Sequence, residues 1–227
     1  MSTPDYPRWT RALEVLALGA FSVLAGSFAL SLILDRNLSL AAAVATVGLG
    51  FFAADLISGL AHFWCDHVGR VETPFVGPVF VRHFLAHHAD PESIAGHDFV
   101  ETNGNNFLGS TVLLLPSWYW WAYEGAAPAA ALFALSTCCF LALTNQSHKW
   151  AHLEPSQVPG WVRWAQRRGL LLCPQAHARH HRGRFDESFC ITSGALNPLL
   201  DRAGVFPILV RLWGGRKGGQ GGPSDVL

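Results

Sequence analysis

The sequence predicts an all-α integral membrane protein with four transmembrane helices. Half of the 227 residues are apolar and only 14% are charged, a balance that is unusual for a soluble protein. Four apolar runs are long enough, or nearly so, to cross a bilayer as helices. All eleven histidines fall outside these four runs. A soluble bundle of long apolar helices is the alternative to the membrane interpretation.

Each predicted span rests on about 20 mainly apolar residues, the length that a helix needs to cross the hydrocarbon layer. The four runs cover about residues 12–34, 38–61, 107–123 and 126–144. The third run is short and ends in Trp and Tyr residues, whose rings favour the membrane interface, so a re-entrant segment is its alternative. We expect an N-terminal segment over 1–11, one membrane domain over 12–213 and a flexible glycine-rich tail over 214–227.

The charges predict how these spans are oriented. Four antiparallel spans bring the segment 62–106, everything after residue 145 and both termini to one face. That face carries fifteen of the sixteen Lys and Arg residues, and only Arg36 falls on the other. Because positively charged loops stay in the cytoplasm, we predict that both termini and all the histidines are cytoplasmic. The formal net charge is zero, which argues against nucleic acid as a partner.

The histidines occur in short groups between His62 and His181. The groups are His62 with His67; His83, His87 and His88; His97 alone; His148 with His152; and His177, His180 and His181. Neutral imidazole is the commonest side-chain metal ligand near pH 7, and spacings of three to five residues keep ligands on one side of a helix or within one turn. The groups therefore predict a metal site at the cytoplasmic ends of the spans.

Helical geometry selects among the candidate ligands. His148 and His152 are four residues apart, so their rings point the same way. Asp66 likewise follows His62 by four residues, whereas His67 lies about 140° round the helix from His62. Asp66 is therefore favoured over His67 as the second ligand of the first group.

The number of imidazoles indicates two metal ions. His180 and His181 cannot share one face of a straight helix, so they suit two metals, or one ligand with one supporting partner. Eight or nine imidazoles also exceed the four ligands of a single zinc ion. Imidazole binds zinc, copper, iron and nickel alike, so spacing alone leaves the metal open.

Five longer strings carry a family resemblance. They are SGLAH (58–62), HHADP (87–91), GHDFVETNGNN (96–106), TNQSHKWAH (144–152) and FCITSGALN (189–197). The histidine spacings resemble the histidine boxes of membrane fatty-acid desaturases and hydroxylases. More narrowly, the strings resemble the Kua, or plasmanylethanolamine desaturase, family over about Asp55 to Asp201.

The resemblance implies a lipid desaturase domain with two iron ions and O2 as co-substrate. Members of that family convert the sn-1 alkyl ether of an ethanolamine glycerophospholipid into a vinyl ether, with electrons from an external carrier of cytochrome b5 or ferredoxin type. The matching positions are His62, His87, His88, His97, His148, His152, His177, His180 and His181, with Asp66 at an acidic position. His67 and His83 fall where the family does not require histidine.

Several polar residues beside the histidines are expected to support a ligand or to meet the lipid head group. They are Asp55, Asp98, Glu101, Asn103, Asn106 and Asn145. Asp55 lies within a span, where acids are usually functional; it is expected to accept a hydrogen bond from a metal ligand or from Ser58. Asp98 is expected to orient a histidine ring. Capping of the third span is the alternative for the strip from Glu101 to Asn106.

Aromatic residues near the histidines suggest two further features. Phe51, Phe52 and Trp64 are candidates for the wall of a tunnel for the alkyl chain, with ordinary packing as the alternative. Arg163, Arg167 and Arg168, with Trp161 and Trp164 among them, indicate an amphipathic segment on the membrane surface. It would meet anionic lipid or an acidic electron donor, or serve only as an interface anchor.

Three other functions remain open at this point. A sister branch of the family desaturates palmitate at sn-2 of phosphatidylglycerol with the same metal chemistry, and the histidine groups do not separate the two branches. A zinc or copper transporter is a non-enzymatic alternative, but it predicts ligands along a path within the spans. A metal-binding regulator is the third, and no motif favours it.

Overall fold

The computed structural model describes residues 8–35, 37–182 and 185–213, and the regular elements in these ranges are helices. They are α1 Arg8–Asp35, α2 Leu40–His67, α3 Arg82–Ala89, α4 Ser93–Gly96, α5 Phe99–Glu124, α6 Pro128–Ala142, α7 Thr144–His152, α8 Gly160–Arg167, α9 Pro174–His180, α10 Asn197–Arg202 and α11 Val205–Trp213. A π-helical turn, Gly77–Val81, leads into α3. The all-α prediction is confirmed. The predictions for residues 1–7, for Arg36 and for the tail lie outside the described residues.

Local signals in the sequence account for the ends of the long helices. Ser39 caps α2, since its Oγ accepts a backbone N–H at 3.2 Å. Asp98 caps α5 by accepting the N–H groups of Val100 and Glu101, both at 3.0 Å. α5 ends at Gly125, whose φ of 67° is a left-handed conformation that glycine adopts without strain.

The long helices pack around an apolar core. α1, α5 and α6 contact one another, and α2 packs against α6. Phe21 of α1 meets Phe107 of α5 edge to face, with ring centroids 5.3 Å apart. Gly104 allows the close approach of α1 and α5, because a Cβ at this position would collide with the side chain of Glu14.

Three helical stretches within the described residues are long and apolar enough to cross a membrane. They are Arg8–Asp35, Leu40–His67 and Pro128–His152, the last formed by α6 and α7 together. They correspond to the first, second and fourth predicted spans, the last two beginning at Leu40 and Pro128 and not at residues 38 and 126. Their exposed apolar side chains suit a lipid environment. The predicted third span, 107–123, lies inside α5, which is not among the three.

The helix ends determine where the site forms. α2 continues past the predicted boundary at residue 61 and carries His62 and Asp66 on its last turns. The helix is interrupted at Leu143, between α6 and α7. α7 then carries His148 and His152 at the same end of the bundle. α3 and α9 pack against these two elements and complete that end.

Candidate metal centre

Two groups of candidate ligands lie side by side at this end of the bundle. The first, here called the five-histidine group, consists of His87, His148, His152, His177 and His181. The second, here called the aspartate group, consists of His62, Asp66, His88 and His180. The candidate ligand atoms of each group lie within 4.8 Å of one another. Nine of the ten predicted ligands are therefore brought together, and His97 lies outside both groups.

The Nε2 atoms of the five-histidine group face one another. His177 Nε2 lies 2.8 Å from the Nε2 atoms of both His148 and His152. The Nε2 of His181 lies 2.9 Å from that of His177 and 3.2 Å from that of His87. A ring nitrogen has either one hydrogen or one lone pair, so His177 Nε2 cannot form three hydrogen bonds at once. The arrangement is that of lone pairs directed at a common cation.

The spacing of these nitrogens fits a metal ion. Two imidazole nitrogens bound at about 2.0–2.1 Å lie roughly 2.9 Å apart at a right angle and roughly 3.4 Å apart at a tetrahedral angle. The observed Nε2 separations of 2.8, 2.9 and 3.2 Å fall close to these two values. The donor set thus fits a metal ion, and imidazole nitrogens suit zinc, copper, iron and nickel.

Burial keeps the candidate ligands unprotonated. Desolvation, reinforced by the neighbouring imidazoles, lowers the pKa of His87 and of His88 to about 2. The same causes lower the pKa of His181 to about 3 and that of His177 well below its ordinary value. At neutral pH these rings therefore have the charge state that metal binding requires.

The aspartate group adds a carboxylate to three imidazoles. Asp66 Oδ2 lies 3.3 Å from His62 Nε2 and 3.6 Å from His180 Nε2. His88 Nε2 is 3.7 Å from the same oxygen and 3.1 Å from His180 Nε2. The group thus includes a carboxyl group, which the five-histidine group does not. Asp66, and not His67, lies with His62, as the helical spacing predicted.

Backbone carbonyls fix two rings of the aspartate group. His62 Nδ1 lies 3.1 Å from the carbonyl oxygen of Phe189, and His180 Nδ1 lies 2.9 Å from that of Glu187. Because a carbonyl oxygen only accepts hydrogen bonds, both Nδ1 atoms carry the ring proton. Both Nε2 atoms therefore present lone pairs to the group.

Neighbouring histidines serve different groups. His87 belongs to the five-histidine group and His88 to the aspartate group. His180 and His181 are divided between the groups in the same way. This division agrees with the expectation that adjacent histidines flank two separate centres.

The three remaining histidines lie outside both groups. His97 Nε2 is 3.7 Å from Glu101 Oε1, and Lys149 Nζ donates to the His97 carbonyl oxygen. His67 Nε2 donates to a backbone carbonyl at 2.8 Å and its ring stacks on Phe63. His83 is half-buried, and desolvation lowers its pKa to about 4. Neither His67 nor His83 belongs to either candidate group, and their non-ligand role stays a prediction.

Asp55 binds backbone groups. Its Oδ1 accepts the N–H groups of Ser193 and Gly194 at 2.8 and 2.9 Å, and its Oδ2 accepts that of Leu196 at 3.1 Å. The Ser58 hydroxyl instead donates to the backbone carbonyl of Asp55 at 2.7 Å. Asp55 therefore anchors the chain before α10, and neither predicted partner, a ligand ring or Ser58, donates to its carboxylate.

The other polar residues connect helices. Asp98 pairs with Arg11 of α1 at 2.7 Å, not with a histidine ring, and this hydrogen bond lowers the Asp98 pKa to about 2. Asparagines join α5 to α6 and α7 through the pairs Asn103–Gln146, Asn106–Leu141 and Asn145–Asn105, at 3.1, 3.1 and 3.2 Å. The strip from Glu101 to Asn106 lies within α5, not before it.

Two cavities lie near the site, and one of them is lined by members of the five-histidine group. The inner cavity, of about 30 Å³, is lined by His87, His148, His97 and Glu101 among others, and it has room for a water-sized molecule. The apolar cavity, of about 140 Å³, is lined mainly by Ile57, Ala61, Phe80, Leu113, Leu141 and Ile191. Phe84, Asn105 and Asn145 line both.

The residues that line the apolar cavity differ from the predicted tunnel wall. Phe51, Phe52 and Trp64 line neither cavity. Phe51 packs edge to face on Phe52 and Phe140, with centroids 5.5 and 5.2 Å apart. Sequence reasoning missed Asn105, although it follows Glu101 by four residues and therefore faces the same way on α5.

Comparisons with known proteins give one family. The lipid desaturase domain family matches residues 51–219. Plasmanylethanolamine desaturase of Myxococcus xanthus is 38% identical over 175 residues, which are 74% of this chain and 59% of the relative. Plasmanylethanolamine desaturase 1 of Mus musculus is 34% identical over 91% of this chain and 78% of the relative. Chloroplastic fatty acid desaturase 4 of Arabidopsis thaliana is 33% identical over 88% and 60%. No solved structure matches.

Proposed function

Because the chain belongs to the lipid desaturase domain family, as its motifs predicted, we propose that it forms the vinyl ether bond of a plasmalogen from a 1-O-alkyl ethanolamine glycerophospholipid. It is an oxidoreductase of the desaturase class, and it is an integral membrane protein. The choice of an ether lipid is supported by two relatives named plasmanylethanolamine desaturase, at 38% and 34% identity. The chain spans about three fifths of the first of these.

Two iron ions are the proposed cofactors, one in each ligand group. The observation that carries the proposal is the meeting of nine ligand atoms in two groups beside an apolar cavity. When bound, iron with O2 supplies the redox chemistry needed to remove hydrogen from C–H bonds that have no acidic proton. The histidine Nε2 atoms and the Asp66 carboxylate are the proposed ligands, and His97 is not among them.

The chain's own residues orient the substrate and exclude water. The alkyl chain is proposed to occupy the apolar cavity between α2 and α5, with its ether end near Phe84, Asn105 and Asn145, which line both cavities. From there the reacting carbons face His87 and His148 of the five-histidine group. Asn105 and Asn145 bond to each other at 3.2 Å, so the boundary between the cavities has a fixed shape.

The proposed orientation places the metal centre and both termini in the cytoplasm, with α5 as a fourth span. The head group would then lie at the cytoplasmic face, where an external carrier of cytochrome b5 or ferredoxin type delivers electrons. α8 supports this arrangement, since Trp161 and Trp164 are 61% and 48% exposed beside Arg167 and Arg168. Such a helix binds a membrane surface or an acidic partner.

One alternative reaction has a specific observation in its favour. The Arabidopsis relative is named a fatty acid desaturase and is 33% identical over 88% of this chain. The same site would then act on an acyl chain of a phospholipid such as phosphatidylglycerol. A metal transporter is less well supported, because the ligands form one compact centre at the end of the bundle and do not follow a path through it.

Lipid mass spectrometry tests the proposal. The protein is expressed in cells that lack plasmalogens, fed 1-O-alkylglycerol and given a working electron donor. New ether lipids two mass units lighter, which disappear under mild acid, would be vinyl ethers and would support the ether-lipid reaction. A new double bond in ester-linked chains alone would favour the acyl-lipid alternative. No change in either class, with iron bound, would overturn the desaturase proposal. The matched control is the His148→Ala variant, which should give neither product.

A further inference from the structure

The two carbonyls that fix the aspartate group lie on either side of one residue. Glu187 bonds His180 Nδ1 at 2.9 Å, and Phe189 bonds His62 Nδ1 at 3.1 Å. Ser188, between them, has a φ of 59°. This is the left-handed region, which is unfavourable for residues other than glycine. This turn of the backbone directs the two carbonyls to two different rings.

Asp201 of α10 holds Ser188 in that conformation. Its Oδ1 accepts the Ser188 N–H and its Oδ2 accepts the Ser188 hydroxyl, both at 3.0 Å. Both carboxylate oxygens are therefore bonded to the same buried residue, and hydrogen bonds to an ionised acceptor are stronger than those between neutral groups. A left-handed residue persists only where its surroundings determine its conformation in this way.

Other residues fix the chain that follows. Asn197, four residues before Asp201 on α10, bonds both the N–H and the carbonyl of Cys190, at 2.8 and 2.9 Å. The Ser58 hydroxyl accepts the Ile191 N–H at 3.1 Å. With Cys190 and Ile191 held separately, the conformation of Ser188 decides where the carbonyls of 187 and 189 point.

We propose that Asp201 is a positioning residue for the metal ligands His62 and His180. Its carboxylate holds the left-handed turn at Ser188, and the turn aims two carbonyls at the two Nδ1–H groups. This leaves both Nε2 lone pairs directed into the aspartate group. The inference rests on the proposed function in one respect: it takes this group to be a metal site.

The effect should be confined to one of the two groups. The buried Nδ1 atoms of His87, His177 and His181 have no hydrogen-bond partner among the described residues, so the Ser188 turn does not orient the five-histidine group. Loss of Asp201 should therefore lower the affinity for the metal ion of the aspartate group and leave the affinity for the other ion unchanged. A general loss of packing would lower both affinities.

Anaerobic titration of the full-length protein with Fe(II), in lipid nanodiscs and without substrate, tests this inference. Asp201→Asn should lower the affinity for one of two Fe(II) ions by about 10–100-fold, the usual effect of removing a residue that supports a ligand. The affinity for the other ion should stay that of the unsubstituted protein. Mössbauer spectra of ⁵⁷Fe should accordingly lose one of two iron environments. Glu124→Gln is the matched control, since Glu124 is exposed at the far end of α5, and it should change neither affinity.

A second pair of variants separates the backbone turn from simple loss of contacts. Glycine adopts a positive φ without strain, so Ser188→Gly in the Asp201→Asn background should restore the weakened site. Ser188→Ala in the same background removes the same hydroxyl but keeps the Cβ, and it should restore nothing. Equal loss at both sites in Asp201→Asn, no loss at either, or no recovery with glycine would overturn the inference.

The titration also distinguishes this inference from the proposed function, because it involves neither lipid nor O2. If the unsubstituted protein binds two Fe(II) ions and Asp201→Asn weakens one, the positioning role stands whichever lipid the enzyme uses. If the unsubstituted protein fails to bind a second ion, both the di-iron proposal and this inference are wrong.

Discussion

His148 and His177, which are 29 residues apart in the sequence, approach each other to 2.8 Å between their Nε2 atoms. Both side chains are nearly inaccessible, at 3% and 1% exposure. One such pair could share a single N–H···N hydrogen bond, but His177 Nε2 also lies 2.8 and 2.9 Å from the Nε2 atoms of His152 and His181. One ring nitrogen cannot satisfy three such neighbours by hydrogen bonding, whereas a cation between their lone pairs can, and this leads to the first prediction.

His148→Ala should abolish lipid desaturation and reduce bound iron from two ions to about one per chain. His148 contributes its Nε2 to the five-histidine group and also lines the inner cavity, so its loss removes a ligand and alters the substrate end of the site. Iron per purified protein and product formation are the measurements. Expression should be similar to that of the unsubstituted protein, and full activity would exclude His148 as a ligand.

His67→Ala and His83→Ala are the matched controls for that experiment. Each removes an imidazole outside both groups, so bound iron should stay at two ions. Activity should fall only mildly, and because His83 lines the inner cavity as His97 does, iron content is the control measurement for His83→Ala. An inactive His67 variant that lacks one iron would show that His67, and not Asp66, completes the aspartate group.

His97→Ala distinguishes the ligand set that the structure brings together from the ligand set that the family resemblance implies. The resemblance implies that His97 is a ligand, whereas the structure pairs it with Glu101 at 3.7 Å, outside both groups. We expect this variant to keep two iron ions while activity falls, since His97 lines the inner cavity. Iron content and turnover are measured on the same preparation. Loss of one iron would restore His97 to the ligand set.

The buried histidines predict a loss of stability in acid. The pKa values of His87 and His88 are about 2 in the folded protein, against ordinary values of 6.5. Above pH 6.5 neither the folded nor the unfolded chain protonates these rings. Below pH 6.5 the unfolded chain binds protons that the folded chain does not, so the free energy of unfolding falls by up to about 1.4 kcal/mol per pH unit for each such histidine.

Chemical unfolding of the metal-free protein between pH 7.5 and 5.5 measures this slope. Stability should be constant near pH 7.5 and should decrease below pH 6.5. His87→Gln is the matched variant: it removes one group that titrates in the unfolded chain, so its slope should be shallower by one proton. A stability that does not change between pH 7.5 and 5.5 would contradict burial of these rings as neutral groups.

Much of the site follows from local spacing. The four-residue separations of His62 from Asp66 and of His148 from His152 are enough to predict which side chains share a helix face. Adjacent histidines cannot share one, and this, together with the surplus of imidazoles, indicates two centres. These inferences succeed because helical geometry relates neighbours in sequence to neighbours in space.

The parts that sequence reasoning missed depend on long-range contacts. Asp55 bonds backbone N–H groups at Ser193 and Gly194, 138 and 139 residues away, and its partners have no side-chain signal. The backbone carbonyls that orient the His62 and His180 rings cannot be identified from the sequence either, because every residue has a backbone carbonyl. Sequence also did not separate a tunnel wall from ordinary packing at Phe51 and Phe52, because apolar residues on a span look alike whether they face a cavity or a neighbouring helix.

The apolar cavity gives the last prediction, which concerns Gly109 on α5. A Cβ at Gly109 would meet Phe80 at 3.7 Å, an ordinary contact, so the position tolerates a small side chain. A leucine there would extend into the cavity of about 140 Å³ that Gly109 lines. Gly109→Leu should therefore shift the preference towards shorter alkyl chains and raise KM for long ones, with both iron ions retained.

Gly19→Leu is the matched control, because a Cβ at Gly19 has no neighbour within 4 Å and its leucine would point outward from α1. Competition between alkylglycerols of different lengths measures the preference. If Gly109→Leu and Gly19→Leu leave the chain-length profile equally unchanged, the alkyl chain does not occupy this cavity.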